Sequence, residues 1–337
     1  MRSITISVPL KATLLGEHAV VYGHRAIAIA IPLRIKFTMI PTSCNCTEVV
    51  CHGLSAEVFM ARIRGDVIDV VANREDVKRA LSYVVTALRL CEKMLDVRLL
   101  NARIEIQGSV PMGVGLGTSA AVSVGVVALC YAVLGEDVMS NRNRIRIAEI
   151  GWKVEHEVQG AASPMDTFTV ALGGVRLVDP KASTVEGIAT KLNVVDMPIL
   201  VGYTPKKTST KELIMYVRSI LDRTSIGKAI LSVIGDLVDE AVEAINRNDL
   251  ELLGMLMNIN HGLLNALGVV DKDTETIVRV LRKGGALGAK MSGAGGGGAF
   301  VALARSRSDI DKLVYLCRAF EVSIASTSID ENGIIAE

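Results

Sequence analysis

Apolar positions along the chain change period several times, and each change marks an element. Residues 4–8 alternate and open as a short strand, and the β-branched run 26–39 reads as one long strand or two. Glu75–Leu95 then sets Val77, Leu81, Val84, Val85, Leu88 and Cys91 on one helical face. Ala102–Gln107 alternates again, and 144–159 returns to helical spacing. Gly173-Gly174 halts whatever precedes it, and Val175–Val178 reads as a strand. A domain boundary near Asp179-Pro180 follows, giving one domain over 1–179 and a second over 180–337.

The second half begins with a strand at Ile199–Tyr203. Helical patterns follow at 211–221, Ser225–Asn246, 250–267 and 273–283, with Asp249 and Asp273 as caps for the last two. Strands at 286–290 and 299–304 flank a glycine segment, and a helix at 308–319 and a strand at 321–326 come last. Helices mixed with a small sheet give an α+β reading, and no internal repeat suggests a solenoid.

Composition narrows the function classes. Half the residues are apolar and 22% are charged, enough for a sizeable core, and with only 4% aromatics that core is aliphatic. Lys and Arg number 37 against 36 Asp and Glu, a net charge of +1 that disfavours a general nucleic-acid or anionic-membrane binder. Residues 1–10 show no signal peptide. The uncharged stretch 111–135 has its strongly apolar part at 120–134, short of the roughly 20 residues a bilayer needs, so it reads as a buried helix. Six cysteines without an export signal are expected as reduced thiols in the cytoplasm. Cys44, Cys46 and Cys51 cluster, but the spacing lacks a CxxC pair and favours a surface loop over a metal site.

Four segments carry candidate chemistry. In Pro111-Met-Gly-Val-Gly-Leu-Gly-Thr-Ser-Ala-Ala121, alternate glycines at 113, 115 and 117 let backbone N–H groups turn toward a phosphate. The loop runs into a helix start near Ser119, whose free N–H groups favour an anion. Thr118 and Ser119 add hydroxyls for a phosphate or its metal ion. No lysine lies in the segment, so it is not a GxxxxGK[ST] loop. The single GxGxxG match, Gly293, Gly295 and Gly298, is followed by a strand where a dinucleotide site needs a helix. Segment 290–298 has more glycine than a hairpin requires, and so reads as backbone lying against a substrate, a phosphate or the first loop. Lys11, Glu17 and His18 fall within eight residues of one another after the first strand. Glu155 and Asp166 stand on either side of Ser163-Pro164, able to supply a Mg²⁺ ligand and an acid facing an attacking hydroxyl. Glu157 is an equal candidate on these grounds alone.

Together these segments resemble the GHMP kinases, which phosphorylate galactose, homoserine, mevalonate or phosphomevalonate. Gly16-Glu-His-Ala-Val-Val-Tyr-Gly23 and 290–298 look most like the members acting on mevalonate. The resemblance implies an N-terminal α/β domain of the ribosomal protein S5 domain 2-like type and a C-terminal ferredoxin-like domain, with ATP and Mg²⁺ bound between them. It implies that Asp166 faces the substrate hydroxyl and that Lys11 stabilises the nascent alkoxide and the transferred phosphate. Ser119 and Glu155 match its Mg²⁺ ligands, the eleven-position gap from Glu155 to Asp166 favouring Glu155 over Glu157. Pro111, Gly113, Gly115, Leu116, Gly117, Thr118, Ser119 and Ala120 match its ATP loop. Glu17, His18, Thr210, Gly293, Ala294 and Gly295 match its substrate side. Pro9-Leu10-Lys11 departs from the family's Pro-Gly-Lys, which suggests that position 10 needs no positive φ here. Phosphorylation of the 5-hydroxyl of mevalonate by a cytoplasmic enzyme is the implied activity. Other family kinases and a non-catalytic nucleotide-binding regulator are the rivals. Lys206 and Lys207 keep a phosphorylated substrate open, and a homodimer is left open as well.

Overall fold

The computed structural model describes residues 3–53, 59–64, 67–70, 75–110 and 112–337. A long hairpin starts the chain, β1 (Ile4–Leu15) and β2 (Ala26–Pro41), followed by β3 (Thr47–His52), β4 (Phe59–Arg64) and β5 (Val67–Val70). Helix α1 (Glu75–Leu95), strand β6 (Ala102–Gln107) and helices α2 (Thr118–Val133), α3 (Asn141–Gln159) and α4 (Met165–Leu172) come next. Strands β7 (Val175–Val178) and β8 (Ala189–Leu192) complete this run. Beyond it lie β9 (Ile199–Tyr203), α5 (Thr210–Arg223), α6 (Ser225–Asn246), α7 (Leu250–Ala266) and α8 (Lys272–Lys283). Then come β10 (Gly288–Met291), β11 (Ala299–Leu303), α9 (Arg307–Ala319), β12 (Ser323–Ser326) and β13 (Ile335–Ala336).

The first sheet runs β13-β1-β2-β6-β3-β4-β5, with β7 on the early part of β2 and β8 beyond it. β3 and β6 are parallel, whereas β1 and β2 are antiparallel with register shifts at Pro9/Leu10 and Thr13/Leu15. This sheet continues past Asp179 to take in Ala189–Leu192, and it recovers Ile335–Ala336 from the end of the chain. The second sheet runs β10-β11-β9-β12. Read in chain order through β9, β10, β11 and β12, that is the arrangement of a ferredoxin-like βαββαβ unit, with extra helices in its first crossover.

Hydrophobic patterning explains the packing. α2 is apolar on every face and is buried from Ala120 to Tyr131, so it fills the middle of the first core rather than crossing a membrane. Among the described residues no helix is long and apolar enough to span a bilayer. β1 is longer than the alternating stretch 4–8 indicates, because residues 6–15 are buried on both faces and leave no polar beat. Leu10 has no positive φ and sits in the core at 1% exposure, as its replacement of glycine suggests.

Two local expectations are corrected. Asp271, not Asp273, caps α8, accepting from the Thr274 and Asp273 N–H groups, and Asp273 instead pairs with Lys207. Cys44 and Cys46 are joined in a disulfide rather than both reduced, since Asn45 at φ 47° folds the β2–β3 connection and brings the two side chains together. Cys51, Cys91, Cys130 and Cys317 are buried free thiols. Cys51 is part of β3, and Glu48 is the residue beside the Cys44–Cys46 pair. Arg62 and Arg103 already engage that glutamate.

Candidate active site

Three chain segments interlock where the two sheets meet. The Lys11 N–H donates to the Leu116 carbonyl at 2.9 Å, fixing the first glycine loop to β1. The Thr13 N–H donates to Ser292 Oγ at 2.7 Å, and the Ala299 N–H donates to the Val114 carbonyl at 2.7 Å. The second glycine segment therefore lies against the first loop. At Gly298 (φ 93°) a Cβ would fall 2.4 Å from the Val114 carbonyl oxygen, so only glycine permits this approach.

The shift of β1 register at Pro9/Leu10 precedes Lys11 and re-aims its side chain. The Lys11 ammonium pairs with Asp166 Oδ1 at 2.8 Å and donates to Thr13 Oγ1 at 3.1 Å. Its stem passes over Gly117, where a Cβ would stand 2.8 Å from Lys11 Cγ. Gly117 (φ 72°) is also the N-cap of α2, with no side chain to satisfy the first turn. The first helical bond runs from Ala121 N–H to the Gly117 carbonyl, which leaves the donors of residues 118–120 to an incoming anion. Thr118 Oγ1 is buried there without a hydrogen-bond partner among the described residues.

Ser119 Oγ and Gln159 Nε2 both donate to Glu155 Oε2, at 3.4 Å and 2.7 Å. Glu155 Oε1 is buried with no hydrogen-bond partner among the described residues. Burial, reinforced by the charge of Asp166, pushes the Glu155 carboxyl up to about 8. Glu157 points outward and is exposed. The Tyr83 phenol stands against Ser119 and Gln159, and burial raises its pKa.

Two cavities adjoin here. The larger, about 500 Å³, is lined by Gly113, Gly115, Gly117, Thr118 and Ser119 together with Arg79, Tyr83 and Lys206. The smaller, about 90 Å³, is lined by His18, Val20, Val21, Ser163, Met165 and Ile214. Lys11, Glu155, Gln159, Asp166, Thr210, Gly293 and Ala294 line both. Leu116 and Ala120 are fully buried behind the loop, and Gly295 packs on the Val269 carbonyl instead of lining either space. Pro111 lies outside the described residues.

Glu17 reaches the smaller cavity with its carboxylate already engaged. Lys290 pairs with it at 0% exposure, and Asn260 Nδ2 donates to its other oxygen at 3.2 Å. Burial lowers the Lys290 pKa, and the Glu17 charge opposes that shift. His18 (φ 60°) is 5% exposed, and its Nε2 meets the Ala294 carbonyl at 2.9 Å. Desolvation lowers its pKa, so the ring is held neutral. Thr210 Oγ1 accepts from Lys206 Nζ at 2.9 Å. Lys207 also lines the larger cavity, and its ammonium pairs with Asp273 at 2.6 Å.

The polar chain continues outward through His261. Its Nδ1 accepts the Met291 N–H at 3.2 Å and its Nε2 donates to Glu275 at 2.8 Å, the arrangement of a neutral ring. Burial, with Arg282 and Lys290 opposing the pull of Glu275, lowers its pKa to about 4 from 6.5. The stability this gives is present above pH 6.5 and is lost as pH falls toward 4, by about 3 kcal/mol. The variant His261→Gln is expected to flatten that loss, which urea unfolding at pH 7 and pH 4.5 checks.

Sequence reasoning singled out the two acids, Lys11, Ser119 and both glycine segments, and these do converge. Arg79, Tyr83 and Gln159 were missed. Gln159 follows Glu155 by four positions on one helix, a signal open to reading; Arg79 and Tyr83 come from α1, which carries no motif.

The GHMP kinases N terminal domain model matches residues 82–174 and the GHMP kinases C terminal model matches 241–320. A mevalonate kinase of Pyrococcus horikoshii is 37% identical over 91% of this chain and 90% of its own length. The mevalonate kinase of Saccharolobus solfataricus is 32% identical over 98% of each chain. The structure of L. major mevalonate kinase in complex with R-mevalonate superposes with a TM-score of 0.72 at 25% identity, covering 93% of this chain and 90% of that one.

Proposed function

The chain belongs to the GHMP kinase family, and from that membership we infer that it transfers the γ-phosphate of ATP to the 5-hydroxyl of mevalonate. The observation that carries this reading is the wall shared by the two cavities, which bears Lys11 and Asp166 in contact at 2.8 Å. The larger space, floored by glycine N–H groups and the α2 start, takes the triphosphate. The smaller takes the acceptor, with Val20, Val21, Met165 and Ile214 beside its apolar carbons and His18 and Ser163 beside its polar groups. Among the described residues Lys11 is its only lysine, which suits an acceptor without a phosphate of its own.

An alcohol is a weak nucleophile at neutral pH. Asp166 accepts the hydroxyl proton as the acceptor oxygen bonds to the γ-phosphorus and the bond to the ADP oxygen breaks. Lys11, at the same point, limits charge on the attacking oxygen and on the transferred phosphoryl oxygens. Ser119 Oγ and the unpartnered Glu155 Oε1 form a hard oxygen pair that fits Mg²⁺. Bound there, the ion would neutralise β- and γ-phosphate oxygens. Gln159 holds the other Glu155 oxygen, leaving Oε1 without a partner among the described residues. Glu17 acts through its pairing with Lys290, which sets the position of His18 and Ala294 at the acceptor end. The reading needs only two small-molecule partners, ATP and mevalonate.

ADP release measured with mevalonate, phosphomevalonate, homoserine and galactose tests it. Mevalonate is expected to be the substrate with the highest kcat/KM. ADP formation with another member of the panel but not mevalonate would refute the substrate and keep the kinase. No ADP with any would favour the regulator.

A further inference from the structure

Lys206 is a cation at the site that the reaction as written leaves unused. It belongs to the connection between β9 and α5, and its stem lies along the second glycine segment, Cδ standing 3.6 Å from where a Gly298 Cβ would be. Its ammonium faces the larger cavity and donates to the Thr210 hydroxyl at 2.9 Å. Among the described residues it has no ion-pair partner. Among the described residues Lys11, Arg79, Asp166 and His18 act on it electrostatically, Glu155, Lys207 and Lys211 line the same cavity, and Asp166 is engaged by Lys11. Burial, with Lys11 and Arg79 adding repulsion, lowers the Lys206 pKa to about 8. An ammonium held this way, partly desolvated and among like charges, is destabilising until an anion arrives.

We propose that Lys206 binds the transferred phosphate from the C-terminal half, so that the γ-phosphate of ATP is bracketed between Lys206 on one side and Lys11 on the other. The proposal rests on the nucleotide-kinase reading above. The phosphate is favoured over an acceptor carboxylate because Lys206 lines the cavity of the glycine loop and Ser119 and does not line the acceptor cavity. A group placed at the γ position contributes to binding ATP and contributes little to binding ADP. It also meets charge that redistributes during transfer, and so acts on turnover as well as on affinity.

The test compares Lys206→Met and Lys206→Arg with the wild-type chain. Calorimetric titration with Mg²⁺ and either ADP or a non-hydrolysable ATP analogue reads the γ-phosphate contribution directly. Lys206→Met is expected to weaken the ATP analogue about tenfold and to leave ADP within a factor of about two. With mevalonate, kcat is expected to fall about a hundredfold while the mevalonate KM is unchanged. Lys206→Arg, which keeps the charge, is expected to restore part of the ATP-over-ADP preference. Equal weakening of both nucleotides, or no weakening of either, overturns the proposal. A raised mevalonate KM with nucleotide binding intact also overturns it and assigns Lys206 to the acceptor. The nucleotide titrations need no acceptor, so they decide the role of Lys206 even if mevalonate proves not to be the substrate.

Discussion

Asp166→Asn is expected to leave ATP binding intact and to lower kcat with mevalonate by about 10²–10⁴-fold. The substitution keeps the size of the side chain and its place in the first turn of α4. It removes the carboxylate that Lys11 contacts, and an amide cannot take the hydroxyl proton. The loss should fall on the chemical step, because Asp166 stands at the junction of the cavities whereas the triphosphate seat is built from 113–119. Single-turnover phosphate transfer alongside an ATP titration separates the two. Survival of kcat within a factor of about ten would show that Asp166 is not the base, and Lys11 orientation of the hydroxyl would then have to carry the reaction.

The largest stability effect is expected at Lys290. Removing its ammonium with Lys290→Met leaves the Glu17 carboxylate buried at 1% exposure, with Asn260 as its remaining partner. Breaking a buried pair from one side costs about 3–5 kcal/mol, chiefly because the surviving charge is stranded. Neutralising both ends should recover much of that, so Glu17→Gln combined with Lys290→Met is expected to be more stable than Lys290→Met alone. A urea double-mutant cycle measures the difference. If Lys290→Met lies within about 1 kcal/mol of the wild type, water reaches the pair and the burial argument is wrong. Because Glu17 follows β1 and Lys290 lies in β10, the same variant should also loosen the acceptor side and raise the mevalonate KM.

Legibility in the sequence followed the physics of each signal. Glu75–Leu95 and Ser225–Asn246 present one apolar face each, and their bounds can be read directly. β1 could not be bounded the same way, since burial on both faces erases alternation after Val8. The mixing of elements beyond Asp179 with the first sheet was also hidden, because β8 and β13 are short and their pairing is set by strands far away in sequence. At the site, glycine spacing and the eleven positions between Glu155 and Asp166 pointed to the right segments. What spacing could not show is that Glu17 would be neutralised by Lys290, or that Gly295 would face Val269. Those depend on which surfaces meet when the two sheets close on one another.

The hydrogen bonds from Thr13 to Ser292 and from Ala299 to Val114 stitch the floor of the site together across the two halves of the chain. A book bound along its spine opens at the margin and stays shut at the fold, and the cleft is constrained in the same sense. Any widening of the cleft for nucleotide exchange is therefore expected near Arg79 and Lys206, with Lys11, Gly117 and Ser292 holding their spacing.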